Sequence, residues 1–198
     1  KEKYERIAYE FSDLQALRIS ELISDGNVYS DWENLESYVN KILFKVLPPD
    51  LAQDSMIHAY IYKDGGLNAF MTSSGQFFIN IGMISACNDE ATLASVIAHE
   101  VAHYYKKHSL KGYIQRELGN FSDGLFDEND AGKTFSVNNE LEADSLSLLW
   151  LKNSNYNLSG SIKAERILQR NESKIISRSE DKWELKETTH PSSFKRVV

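Results

Sequence analysis

The sequence has few cysteines and prolines and no long hydrophobic run. Its 198 residues include three prolines and one cysteine, Cys87. A single cysteine excludes an internal disulfide and a multi-cysteine zinc module. No apolar stretch approaches the roughly 18 residues of a membrane-spanning helix, so we expect no transmembrane segment. Basic residues are outnumbered, with 22 Lys and Arg against 29 Asp and Glu and a net charge of −7. This balance argues against nucleic acid as a partner.

The remaining composition is that of a globular protein. Hydrophobic residues make up 41% and aromatic residues 11% of the chain, enough for a packed core. At about 100–200 residues per domain, the length predicts a single domain over residues 1–198. Apolar residues at helical spacing predict two N-terminal helices within residues 1–50, with a break at Ser24–Asn27. Residues 55–198 are expected to form the core of the domain.

A change of pattern near Ser55 predicts a small sheet. Three short β-rich runs, over residues 55–62, 67–72 and 76–81, are separated by Gly-containing turns and suggest a meander or hairpin array. The helical pattern returns after Asn88 or Asp89, either of which is a suitable N-cap. We therefore expect an α+β fold, mainly helical, with a small antiparallel sheet packed on the helix that follows residue 89.

That helix contains the sequence's most informative motif. His99 and His103 are four residues apart, so both imidazoles lie on one helix face and can reach one Zn²⁺. Glu100 lies beside the metal, where its carboxylate can take a proton from the attacking water and pass it to a leaving amine. The alternative is a helix with two unrelated histidines, but the apolar flanks indicate a buried helix.

A third metal ligand is expected downstream, because a catalytic zinc needs three protein ligands and an open position. Glu140 and Asp144 are again four residues apart. One carboxylate can bind the metal while the other accepts the Nδ1–H of a zinc-bound histidine. The alternative is an acidic first turn of a helix, which the helix dipole favours. Glu142 points elsewhere on that helix and is expected to face solvent, and His108 is expected to cap the end of the histidine-bearing helix.

Four segments, in order, resemble peptidase family M48, a gluzincin-like group of zinc metallopeptidases. They are Gly66–Phe70 followed by Ile79–Gly82; Ala98–His103 with His108; Glu140–Asp144; and Thr189-His190-Pro191 with Arg196. The resemblance implies a zincin-like domain with one Zn²⁺ per chain, held by His99, His103 and Glu140. It also implies that Asp144 orients His99.

The resemblance extends to residues outside the metal motif. The tail motif implies that His190 returns to the site, where it would stabilise the oxyanion or close the metal's fourth position, and that Arg196 fixes this segment. The Asn-Ala-Phe segment is the best candidate for an exposed strand edge, so we expect the backbone of Asn68, Ala69 and Phe70 to pair with an extended peptide. An interior strand with two neighbours is the alternative.

The sequence thus predicts a zinc metalloendopeptidase that acts on peptides or on unfolded or membrane-associated proteins, with protein quality control as one role. The rival is a metal-binding chaperone-like or adaptor module without proteolysis, and a third option is a zinc hydrolase acting on another substrate. Because residue 1 is Lys rather than Met, we expect an N-terminal piece to have been removed. Together with the likeness to periplasmic family members, this suggests an extracytoplasmic bacterial location, with a lipoprotein as one form.

Overall fold

The structure is a computed structural model that describes residues 2–30, 32–118 and 137–178, with side chains described up to residue 171. Within these ranges, the chain forms seven helices and a small sheet. The helices are α1 (Glu2–Ser24), α2 (Glu33–Val46), α3 (Ile81–Ala86), α4 (Glu90–Tyr105), α5 (His108–Glu117), α6 (Val137–Asn153) and α7 (Ser159–Arg178). The strands are β1 (His58–Tyr62), β2 (Ala69–Met71) and β3 (Gln76–Asn80). None of the described helices is long and apolar enough to cross a membrane.

The α+β class is confirmed, but the sheet is mixed rather than antiparallel. Its strand order is β1-β3-β2. β3 pairs with β2 in an antiparallel hairpin and with β1 in parallel. Of the predicted meander or hairpin array, the β2–β3 hairpin is present. The meander order is wrong, because the last strand in the chain, not the second, occupies the centre.

The hairpin between β2 and β3 is built by a short turn. Thr72 N–H donates to the carbonyl of Gln76 at 2.8 Å, and Gly75 adopts a φ of 95°. That left-handed conformation favours glycine. All five residues of β3 are buried, as expected for the central strand.

The two outer edges of the sheet differ in what covers them. Asn40 of α2 accepts from the Ala59 N–H at 2.9 Å and donates to the Ala59 carbonyl at 3.2 Å, which satisfies the outer edge of β1. Tyr29 N–H donates to Ile61 on the same edge. On the opposite side of the sheet, β2 pairs with no strand other than β3 among the described residues. The predicted edge position of β2 is therefore confirmed.

Helix α4 forms the centre of the helical layer. Nearly every residue from Thr92 to His103 is buried, and α4 packs against α2, α6, α7 and β2. Asp89 is its N-cap, as predicted, and accepts from the Thr92 N–H at 2.8 Å. Gly160 lets α7 approach closely, since a Cβ there would lie 2.3 Å from the Ala91 carbonyl oxygen. The helix that carries the two motif histidines is thus fixed on several sides.

Candidate metal centre

The structure brings together the three residues predicted to bind a metal. His99 and His103 are on α4 and Glu140 is on α6, and one ligand atom from each lies within 4.8 Å of the others. The His99 Nε2 and His103 Nε2 atoms are 3.0 Å apart. The two carboxylate oxygens of Glu140 lie 3.4 Å from His99 Nε2 and 3.5 Å from His103 Nε2.

This cluster lies inside the protein. Glu140 has no exposed surface, and His103 and Glu100 are 3% and 6% exposed. The packing of α4 on α6 places the cluster where the two helices meet. A carboxylate buried so completely needs a compensating positive charge.

The donor set suits zinc. Two imidazole nitrogens and one carboxylate are the ligands of a common class of catalytic zinc site, which leaves the fourth position open. The three groups converge from two helices, and each directs a donor atom toward the same point. His99, His103 and Glu140 therefore fit a zinc ion, with no rearrangement of the helices needed to bring them together.

Asp144 lies where the sequence predicted an orienting carboxylate. Its Oδ1 atom is 2.9 Å from His99 Nδ1, on the side of the ring away from Glu140. Burial lowers the pKa of His99, but the hydrogen bonds to Asp144 and Glu140, with the charges of Glu140 and Glu100, outweigh it and raise the pKa to about 9. Such a carboxylate fixes the ring's orientation and tautomer.

A second set of contacts surrounds His103, and sequence reasoning did not predict it. His108 Nδ1 lies 2.9 Å from His103 Nδ1, and His108 Nε2 lies 2.9 Å from Glu142 Oε2. Lys106 forms an ion pair with the other oxygen of Glu142. Glu142 keeps 41% of its side chain exposed, as expected for a residue that faces solvent, but it also contacts His108 and Lys106. His108 opens α5 rather than capping α4.

The pKa values in this second set follow from burial and charge. Burial lowers the pKa of His108, against the opposing effect of Glu142. Hydrogen bonds from Lys106 and His108 lower the pKa of Glu142. Helical periodicity does not predict the contact between His103 and His108. The two residues are five apart, and the helix is broken between them at Lys107, where φ is 55°.

A cavity of about 330 Å³ lies between the end of β2 and the C-terminal part of α4. Met71, Thr72 and Ser73 line one wall, and His103 and Tyr104 line another. Of the three candidate ligands, His103 lines this cavity, so the end of the edge strand and one candidate ligand border the same space.

The sheet register shows which of the residues predicted to bind peptide direct their backbone groups away from β3. The Asn68 carbonyl accepts from Asn80 N–H at 3.0 Å, and Phe70 pairs directly with Phe78. In an antiparallel ladder, alternate residues direct their backbone groups to the same side. The backbone groups of Asn68 and Phe70 therefore face β3, which corrects the prediction that they bind peptide. The backbone groups of Ala69 and Met71 face the other edge of β2, the open edge, with which no strand among the described residues pairs.

The remaining candidates have roles outside the cluster or lie beyond the described residues. The Tyr104 hydroxyl donates to Asp54, and His58 pairs with Glu36 at 2.8 Å. Burial, with a smaller effect from Asp89, raises the pKa of the Cys87 thiol to about 11, which does not suit a nucleophile. His190 and Arg196 lie outside the described residues, so their predicted roles stay predictions.

Comparisons with known proteins agree with the sequence motifs. Residues 33–126 match the profile of peptidase family M48, a segment that includes His99, Glu100 and His103 and ends before Glu140. The chain is also 32% identical over 72 residues to the mitochondrial metalloendopeptidase OMA1 of Schizosaccharomyces pombe. That match covers 36% of this chain and 21% of the relative, so it spans about a fifth of the relative's length.

Proposed function

Because the chain belongs to peptidase family M48 over residues 33–126, we propose that it is a zinc-dependent metalloendopeptidase. The family predicted from the motifs is thereby confirmed, while the activity is our proposal. The observation that carries it is the convergence of His99, His103 and Glu140 within 4.8 Å. Glu100 immediately follows the first of these residues on α4.

Each residue of the centre has a distinct part in this proposal. His99, His103 and Glu140 hold Zn²⁺, and Asp144 orients His99 through the 2.9 Å contact at Nδ1. Zinc, when bound, acts as a Lewis acid that polarises the scissile carbonyl and makes water more acidic. The Glu100 carboxylate takes the proton of the attacking water and passes it to the nitrogen of the leaving amine.

We propose that the peptide substrate adds to the open edge of β2. The N–H and carbonyl groups of Ala69 and Met71 face that edge, and the cavity beside Met71 reaches His103. An extended substrate paired there would be held mainly through its backbone. Backbone pairing depends little on the side chains of the substrate. The enzyme would therefore accept many unfolded or membrane-associated proteins, which suits a role in protein quality control.

Two further expectations from the sequence remain proposals. His190 near the zinc, with Arg196 fixing its segment, would supply oxyanion stabilisation or block the fourth position. An extracytoplasmic bacterial location is tested by fractionation of the native host.

The decisive experiment compares cleavage with metal content. Purified wild-type protein is expected to hold about one zinc per chain and to cleave an unstructured protein such as casein. Glu100→Gln should keep the zinc and lose about 10²–10⁴-fold in rate, since it removes the general base. His99→Ala and Glu140→Ala should lose both metal and activity.

Glu117→Gln is the matched control, because Glu117 is an exposed glutamate on α5. It should behave as wild type in both measurements. Wild-type cleavage by a zinc-loaded Glu100→Gln protein would reject the proposed chemistry. A zinc-loaded wild type without peptidase activity would favour the chaperone-like or adaptor alternative.

A further inference from the structure

A line of hydrogen-bonding groups leads from His103 to the surface of the protein. It begins at His103 Nδ1, passes through both ring nitrogens of His108 at 2.9 Å each, and reaches Glu142. Lys106 binds the remaining oxygen of Glu142. His108 is 1% exposed, so its contacts are made inside the protein.

The fold builds this line from two helices and the turn between them. α4 ends at Tyr105, and the left-handed residue Lys107 turns the chain so that α5 begins at His108. The turn directs the His108 ring back toward His103. Glu142 comes from α6, two residues after Glu140, so this helix supplies both a carboxylate to the metal cluster and a carboxylate to His108.

When both imidazoles are neutral, the chemistry of the donors and acceptors allows one arrangement of protons along the line. An ionised carboxylate only accepts hydrogen bonds, so Glu142 requires an N–H at His108 Nε2. A neutral His108 then has a lone pair at Nδ1 and accepts the N–H of His103 Nδ1. A neutral His103 with its proton at Nδ1 has its lone pair at Nε2, the atom that faces Glu140 and His99.

We propose that His108 and Glu142 are positioning residues that hold His103 in the orientation and tautomer required for zinc binding. The inference rests on the proposed zinc site and extends it. The Asp144 carboxylate contacts the Nδ1 atom of His99 directly, whereas the Nδ1 atom of His103 contacts a histidine that is itself bound by a carboxylate. The charge of Glu142 thereby acts on a metal ligand through the intervening imidazole.

The test measures the zinc dissociation constant by competition with a chelator of known affinity. His108→Leu removes both contacts and should weaken zinc binding about 10–100-fold, as is usual for residues that orient a metal ligand. His108→Asn should recover part of this loss, because its Oδ1 lies near the position of Nδ1 and can accept the same N–H. Glu142→Ala should weaken binding about 10-fold.

The matched control is His58→Leu. His58 also forms a histidine–glutamate pair, with Glu36 at 2.8 Å, but it lies on β1 away from the cluster. Its loss should leave zinc affinity within about twofold of wild type, as expected for a pair that touches no ligand.

A spectroscopic measurement separates positioning from general stability. In zinc-loaded wild type, proton–nitrogen NMR should show the His103 Nδ1–H as a slowly exchanging signal, because this proton is buried and hydrogen-bonded. In His108→Leu the signal should exchange rapidly or disappear, whereas in His58→Leu it should remain.

Each outcome has a single meaning. Absence of zinc from the wild type would overturn the proposed function and this inference together. Zinc-loaded wild type with His108→Leu and Glu142→Ala both within about threefold of His58→Leu would overturn this inference alone. If His108→Leu does not fold, Glu142→Ala decides, because the Glu142 side chain is 41% exposed and its truncation leaves no cavity in the core.

Discussion

Glu140 shows most directly how the centre is organised at the scale of single residues. It is a carboxylate with no exposed surface, and the cost of burying such a charge must be offset by nearby positive charge. Among the described residues His99 contributes such a charge, since hydrogen bonds to Asp144 and Glu140 outweigh the effect of burial and raise its pKa to about 9. A bound divalent cation would take over this role and release the proton.

Cys87 provides a prediction at the same scale. Burial, with a smaller contribution from Asp89, raises the pKa of its thiol to about 11, and the reactive species is the thiolate. At pH 8 the folded protein should therefore react with a thiol-specific disulfide reagent about 10-fold or more slowly than the urea-unfolded protein. Equal rates in the two states would contradict this, and Cys87→Ala should retain peptidase activity.

Residue spacing explains which parts of the site could be predicted. Residues four apart on a helix share a face, so the pairs His99–His103 and Glu140–Asp144 were recognisable from the sequence alone. The contact of His108 with His103 was not, because the helix periodicity is interrupted at Lys107. Glu142 could not be assigned either, since its partner lies 34 residues away in the chain.

At the scale of secondary-structure elements, periodicity identified the strands but not their order. The contiguous apolar residues Phe77, Phe78 and Ile79 indicate a strand buried on both faces, which is the property of a central strand. That signal favours a position for β3 between β1 and β2. Turn chemistry at Ser73–Gly75 correctly predicted the hairpin, whereas the parallel pairing of β1 with β3 depends on long-range packing.

The open edge of β2 leads to a prediction about substrate binding. Ala69→Pro removes the one backbone N–H that Ala69 directs to this edge. The loss of one such hydrogen bond should lower kcat/KM for peptides about 3- to 10-fold, with zinc content unchanged. The measurement is steady-state cleavage of a fluorogenic peptide by folded, zinc-loaded protein.

Ala69→Ser is the matched control for this change. It keeps the backbone N–H and alters a side chain that is 5% exposed, so its kcat/KM should stay close to that of wild type. Equal kcat/KM for Ala69→Pro and Ala69→Ser would show that the substrate binds elsewhere.

At the scale of the whole molecule, the metal centre joins two parts of the chain that are distant in sequence. His99 and His103 lie in α4 and Glu140 lies in α6, and these helices form an extensive contact. α4 also packs on α2, α7 and β2. A ligand held by both helices would therefore favour the folded state, in which all three donor atoms are close together, over the unfolded chain, in which they are not.

A zinc ion bound between two helices predicts a zinc-dependent melting temperature. At a free zinc concentration about 100 times the dissociation constant, binding should stabilise the fold by about 2.7 kcal/mol. For a chain of this size that corresponds to a Tm increase of about 5–11 °C over chelator-treated protein, measured by circular dichroism. Glu140→Ala should abolish the difference because it removes the ligand from α6, whereas Glu117→Gln should preserve it. A wild-type Tm unaffected by chelator and by added zinc would show that no ion bridges α4 and α6.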